Sequence, residues 1–358
     1  MRLLDDAVAR MDDWQRGHRS VAIAYGVMKK FGDDDANHYV VGLGWYGFVA
    51  IYPLLLVVIT VFAFIGAASL GHQVVATLHQ FPVVGSDFNP ARGSRNLHGS
   101  TFALVIGLVG LVYGAQGVTQ TAQQAMVGVW NISPLDEPRF LQRLVRSLIG
   151  LATIGGAFIV NAALATFATG HSVGLTLRVL VLVGTVIMNV GFYAAAFRSL
   201  TPAVIPTGAL IPGAVVASLG FTFLITLGSG LVQHQVRNSS ATYGQFGIVI
   251  GLVAFLFLLA KISLYAAELN PVLARRLWPR ALRGNRPTEA DDHVLYDITH
   301  QSLRRDDQRI GVGFGANARA QVERDADPEP RSQWVVKPNI SDHRSGSHRD
   351  YEHPVAGT

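Results

Sequence analysis

The sequence predicts an all-α integral membrane protein, a bundle of six transmembrane helices with both termini cytoplasmic. Three observations predict it. Six apolar runs each reach the roughly 20 residues a spanning helix needs. Charge is scarce and segregated: 15% of the 358 residues are charged, against about 25% in an average soluble domain. Between Asp35 and Glu268 the only acidic residues are Asp87, Asp136 and Glu137. Basic residues crowd alternate ends of the runs.

Residues 1–38 are polar and charged, an N-terminal cytoplasmic amphipathic segment with no apolar stretch leading to a small-residue cleavage site. Leu4, Val8, Met11 and Trp14 recur at helical spacing. Such a helix either lies on the membrane surface or packs on its own protein. The transmembrane domain, 39–270, follows. Its runs span about 39–70, 101–130, 144–169, 174–197, 207–232 and 244–267. The first is longer than needed and contains Pro53, so a tilt or kink is expected.

Orientation follows the basic residues near the helix ends. With the N-terminus inside, the inner segments hold 14 of them: Arg2, Arg10, Arg16, Arg19, Lys29, Lys30, Arg139, Arg143, Arg146, Arg198, Arg275, Arg276, Arg280 and Arg283. The outer loops hold 4: Arg92, Arg95, Arg178 and Arg237. The stretch 71–100 is then the longest outer loop, with turn signals around Asp87–Ser94. Residues 271–358 form a cytoplasmic tail. A short helix is expected within 288–305, and the composition beyond about 316 reads as disordered.

Composition removes several function classes. There is no cysteine, so there are no disulfides, thiol nucleophiles or Cys-type metal sites. The net charge of +5 suits either nucleic acid or an anionic inner leaflet. The placement of the arginines at helix ends favours the leaflet, and no nucleic-acid partner is expected. No HExxH, P-loop, GxSxG or Asp-rich cluster is present. His72, His79 and His98 are scattered on the outer loop, and the Asp5-Asp6, Asp12-Asp13 and Asp33–Asp35 groups read as solvated or capping residues. No enzyme activity, cofactor or metal is expected.

Polar residues inside a membrane are costly and point to function. Tyr113, Gln116, Gln120, Gln123 and Gln124 recur at i, i+3/i+4, i+7 spacing in the second run. They mark either a polar groove or interhelical hydrogen bonding, the latter worth about 0.6 kcal/mol per bond. In the sixth run Lys261, Tyr265 and Glu268 share a face, with Lys261 about 10 Å from Glu268 along the axis. Lys261 either snorkels to the interface, pairs with Glu268 or binds an anionic head group. Asn270 and Pro271 suggest a turn at the membrane edge. Arg198 joins the site or serves as a topology charge. Asn161 and Asn189 read as helix–helix hydrogen bonders. Gly110/Gly114 and Gly247/Gly251 are GxxxG pairs, and Gly213/Ala217 is their small-residue equivalent. Pro202, Pro206 and Pro212 mark a loop and a helix start.

Several segments resemble the YihY/BrkB family of bacterial inner-membrane proteins. They are "QRGHR" (15–19), "KKFGDDDANHYV" (29–40), "YGFVAIYPLLLVVI" (46–59), "QTAQQAMVGVW" (120–130) and above all "SATYGQFGIVIGLVAFLFLLAKISLYAAELNPVLARRLWPRAL" (240–282). The TYG…G…AELN…LAR pattern is specific. The resemblance covers roughly 10–285 and departs at Ile51-Tyr52, where family members more often carry Ser-Leu-Phe before the proline. It implies six helices and a multi-pass protein of the bacterial inner membrane. Members have carried the label ribonuclease BN, which the residues here do not support. The BrkB name carries an association with serum resistance, and lipid or envelope-precursor transport has been proposed.

Two function classes follow. One is a transporter or flippase-like protein for lipid or amphipathic envelope precursors, with Tyr113, Gln116, Gln120, Gln123, Gln124, Lys261, Tyr265, Glu268 and Asn270 as its pathway. The other is a non-transporting scaffold whose Arg-rich tail recruits envelope machinery. A membrane ribonuclease is the remote third. Expected partners are membrane lipids, and a homo-oligomer or envelope-assembly proteins.

Overall fold

The computed structural model describes residues 2–64, 101–133, 149, 175–239, 244–282, 287–305, 308, 310–315 and 318. Among these residues there are eight α-helices and no strand. In chain order they are α1 (Arg2–Gly17), α2 (Arg19–Asp33), α3 (Asn37–Phe64), α4 (Thr101–Val129), α5 (Leu175–Leu200), α6 (Ile211–Ser239), α7 (Gly244–Ala274) and α8 (Glu289–Gln301). A 3-10 turn, Thr207–Leu210, leads into α6.

Among the described residues three stretches are long and apolar enough to cross a membrane: Val183–Leu200, Thr207–Ile225 and Val249–Ala274. The first two apolar runs form α3 and α4, of 28 and 29 residues without a charged side chain. The third run, 144–169 with Asn161, lies outside the described residues apart from Ile149. So do the 71–100 loop with its histidines, the segment holding Asp136 to Arg146, and the tail beyond 318.

The helices approach closely where glycines leave room. α3 lies along α4. A Cβ on Gly114 would stand 2.8 Å from the Ala50 Cα, and one on Gly110 2.9 Å from the Pro53 ring. Gly117 lies under the ring of Tyr46. The Gly110/Gly114 pair therefore does what its spacing suggests. The proline of α3 sits over a glycine of α4, so the bulk of the ring is absorbed by its neighbour. α6 lies along α7 in the same way, with Gly213 against Ala266 and Asn270, and Ala217 buried. Pro212 falls in the first turn of α6, where its missing N–H costs nothing.

One expectation changes. The turn at Asn270-Pro271 is absent: α7 continues through Pro271 to Ala274. Pro271 stands in the last turn, so its missing donor interrupts only the helix end. The short helix expected within 288–305 is present as α8. Thr288 and Asp291 form a reciprocal capping box at the start of α8, and α8 is anchored to α2 through Asp291.

α1 is amphipathic as predicted, but its polar side is the one turned inward. Asp12 and Gln15 are buried, while Met11 and Trp14 are exposed. Asp12 accepts from Leu282 N (3.0 Å) and Arg16 (2.6 Å), and Gln15 donates to Arg280 O (2.6 Å).

Candidate functional site

The candidate pathway residues separate into two groups. Tyr113, Gln116, Gln120 and Gln124 are exposed along one face of α4. The close packing on α3 is made by Gly110, Gly114 and Gly117 beside that face, and of the strip Tyr113 touches α3, edge-on to Tyr46 with ring centroids 6.4 Å apart. Gln123 is buried instead, next in sequence to Ala122 of the core shared with α5, α6 and α7. The exposed face is apolar toward the start of α4, with Ile106, Val109 and Val112. It becomes polar from Gln116 onward. Gln116 to Gln124 spans about 12 Å of helix.

On α7, Lys261 is exposed and Tyr265 is half-buried, stacked on Phe31 with ring centroids 4.1 Å apart. Glu268 and Asn270 are buried. The cation beside Glu268 is Lys30, not Lys261: Lys30 Nζ stands 3.2 Å from Glu268 Oε2. The Lys30 ammonium also bonds to Asp34, one turn on, and donates to the Val129 carbonyl at 2.8 Å. One fully buried ammonium thus ties α2, α4 and α7 together. Asn270 Oδ1 accepts from the Gly213 N–H at 2.7 Å, which holds the start of α6 to α7.

Arg198 lies apart from this cluster. Its guanidinium donates to the Ile205 carbonyl at 3.2 Å and to Pro202 O at 3.5 Å, pinning the loop after α5. Asn189 is buried on α5. Asn131 follows α4 in the left-handed region at φ 48°, which asparagine tolerates well. Its amide donates to Asp34 Oδ1 at 3.0 Å and Gln301 Oε1 at 3.4 Å. Arg275 donates to Asp297 of α8 at 2.8 Å and to the Trp130 carbonyl at 3.0 Å.

A second knot lies beside the first. Arg280, buried, donates from Nε to Asp291 Oδ1 (2.6 Å) and from a terminal nitrogen to Asp33 Oδ2 (2.7 Å). Lys29 donates to Asp291 at 2.7 Å and to the Ala281 carbonyl at 2.9 Å. Burial alone would raise the Asp291 carboxyl. Lys29, Arg280 and the N–H groups of Thr288 and Ala281 outweigh it and hold the carboxyl well below the ordinary carboxylate range. Asp12 is held low for the same reasons: burial opposes ionisation, but the Leu282 N–H, Arg16 and Gln15 prevail.

Sequence reasoning passes over Lys30, Asp33, Asp34, Arg280 and Asp291. The Asp33–Asp35 group reads as solvated or capping; Asp34 does cap the end of α2, but its side chain is buried against Lys30, and Asp33 is engaged by Arg280. The available signal is the Lys30/Asp34 spacing of four on one helix face. Their third member, Glu268, is remote in sequence and unpredictable from spacing. Among the described residues no three His, Asp or Glu side chains are grouped to hold a metal ion.

These knots coincide with the boundaries of a known family. The family model described as Virulence factor BrkB matches residues 27–291. The chain belongs to the BrkB family. No curated protein and no solved structure matches it. The BrkB segment begins two residues before Lys29 and ends on Asp291, and these two side chains are paired. Lys30, Asp34, Glu268, Asn270 and Arg280 lie within that segment, and α1 and most of α8 lie outside.

Proposed function

We propose that this BrkB protein is a six-span transporter of the flippase type, moving a lipid or an amphipathic envelope precursor across the bacterial inner membrane. The observation that carries the reading is the exposed face of α4. Glutamines that served as interhelical glue would be spent in helix contacts. Gln116, Gln120 and Gln124 are instead exposed, while the glycine face of the same helix does the packing on α3. An exposed polar strip of about 12 Å on an apolar helix suits a head group sliding along it while its chains stay in lipid. Lys261, exposed on α7, offers a cation to an anionic head group. With both termini inside, as the distribution of basic residues suggests, the exposed Met11 and Trp14 would lie at the inner interface, where an aromatic side chain is favoured.

The test is a leaflet-resolved inventory of envelope lipids in cells lacking the protein, complemented with wild type, with Lys261→Ala, and with a truncation after residue 318. The truncation is placed there because α8 is anchored to the folded part. Transport predicts one lipid class trapped on the inner side, released by wild type and by the truncation and not by Lys261→Ala. An unchanged inventory, or rescue that depends only on the tail, contradicts it and favours the scaffold. The reading carries no enzymatic step, and purified protein that cleaves RNA would overturn that part.

A further inference from the structure

Where α2, α4 and α7 meet, two carboxyl groups and one ammonium are closed off together. The side chains of Lys30 and Glu268 are 0% exposed and that of Asp34 is 2% exposed. If all three were ionised, the cluster would carry one uncompensated negative charge. An unpaired buried charge is strongly unfavourable, and a single proton removes it.

The hydrogen bonds indicate where that proton belongs. Asp34 is well served: its Oδ1 accepts from Asn131 and its Oδ2 from Lys30. Glu268 is not. Lys30 stands 3.2 Å from its Oε2, but neither carboxyl oxygen of Glu268 receives an aligned donor. The Asp34 and Glu268 carboxyls both reach the one Lys30 ammonium. Two carboxylates sharing one cation in a closed site repel each other, and one proton on the pair removes that repulsion.

Among the described residues the surrounding elements supply no other charge to the pair. α4 contributes the Val129 carbonyl. α3 contributes Tyr39, whose hydroxyl lies against Gly128 of α4. α6 meets α7 with Gly213 and has no titratable residue from Ile211 to Ile225. On α7 itself, Tyr265 stacks on Phe31 and Arg275 is committed to Asp297 of α8. Asp33 is engaged by Arg280.

We propose that the Glu268–Asp34 carboxyl pair, held by Lys30, is a proton-binding site that carries one shared proton at neutral pH. Release of the proton puts a net charge into a closed junction of three helices, which makes the junction responsive to protonation. A coupling of this proton to substrate movement rests on the transport reading; the binding of the proton does not.

The experiment is pH-titrated infrared difference spectroscopy on the full-length protein in lipid nanodiscs, reading the carbonyl stretch of a buried, protonated carboxylic acid. The band is expected in the wild type at neutral pH and is titrated away under alkaline conditions. It is expected to be lost in Glu268→Gln and equally in Asp34→Asn, because either change leaves one acid for one base. A wild-type spectrum without the band at neutral pH overturns the proposal, as does a band that survives both substitutions. Should Glu268→Gln fail to fold, Asp34→Asn and the wild-type titration still decide. Failure of lipid movement with the band intact removes the transport reading alone.

Discussion

Lys30 Nζ stands 3.2 Å from Glu268 Oε2, with both side chains fully buried. The two residues come from near opposite ends of the family segment, 27–291. Because the same ammonium also reaches Asp34 and the Val129 carbonyl, it fastens α2 to the ends of α4 and α7. Replacing Lys30 with Met leaves two buried carboxyls without their shared cation. We expect a loss of about 3–5 kcal/mol, the usual consequence of breaking a buried pair. The double variant Lys30→Met/Glu268→Gln should recover part of that loss. Unfolding of the purified variants in lipid checks this, and a Lys30→Met protein as stable as wild type would contradict it.

Docking of α8 should resist mild acid. The Asp291 carboxyl is held below its ordinary value in the folded protein. Its contribution is complete above the unfolded value of about 3.9, and is lost as pH falls through the lower folded value. From neutral pH down to about pH 4, this group should therefore leave α8 docked, and protection should fall only below that. Asp291→Asn removes the charge at every pH and leaves Arg280 buried with one fewer acid. Amide exchange in α8 at neutral pH should then quicken on the order of tenfold. Hydrogen exchange across 289–301 reads both effects, and equal protection in wild type and Asp291→Asn would refute them.

Glycine substitutions should sort by contact. A Cβ on Gly114 meets the backbone of Ala50 at 2.8 Å, whereas one on Gly191 meets nothing within 4 Å. Gly114→Ala is expected to push α3 from α4 at a cost of about 1–3 kcal/mol. Gly191→Ala should be neutral or stabilising by up to about 1 kcal/mol. Thermal midpoints of the two variants give the comparison, and equal midpoints would argue against the α3–α4 contact.

The glutamine strip should matter to function and not to folding. Gln116, Gln120 and Gln124 are exposed on an otherwise apolar helix. Changing all three to Leu removes polar groups from an exposed surface that takes part in no described helix contact, so stability in lipid should hold or rise. Lipid movement should be lost. A triple variant that unfolds would return the glutamines to the role of interhelical glue.

Much of this fold is legible in the sequence because lipid imposes a simple rule: long uncharged runs are helices. α4, α5 and α6 begin within a few residues of the predicted runs, and the Gly110/Gly114 spacing finds a real contact. α7 runs past Asn270 because a proline in the last turn ends a helix less abruptly than one in its middle. The site is harder to read. Lys261 and Glu268 share a helical face, but burial along that face changes within seven residues as α2 covers only its lower part. Spacing reports which side a residue faces and not what lies opposite. Lys30 and Asp291 are found only once α2, α7 and α8 are brought together in space.

The central claim is that this BrkB protein moves a lipid along the polar face of α4. The most direct measurement is leaflet exchange in vesicles reconstituted with purified full-length protein. The probes are a labelled anionic phospholipid and a labelled long-chain isoprenoid phosphate. The account predicts that wild type speeds exchange of one probe and that the Gln116→Leu/Gln120→Leu/Gln124→Leu variant, folded and inserted, does not. Exchange no faster than in protein-free vesicles for either probe, or equally fast with the variant, would contradict it.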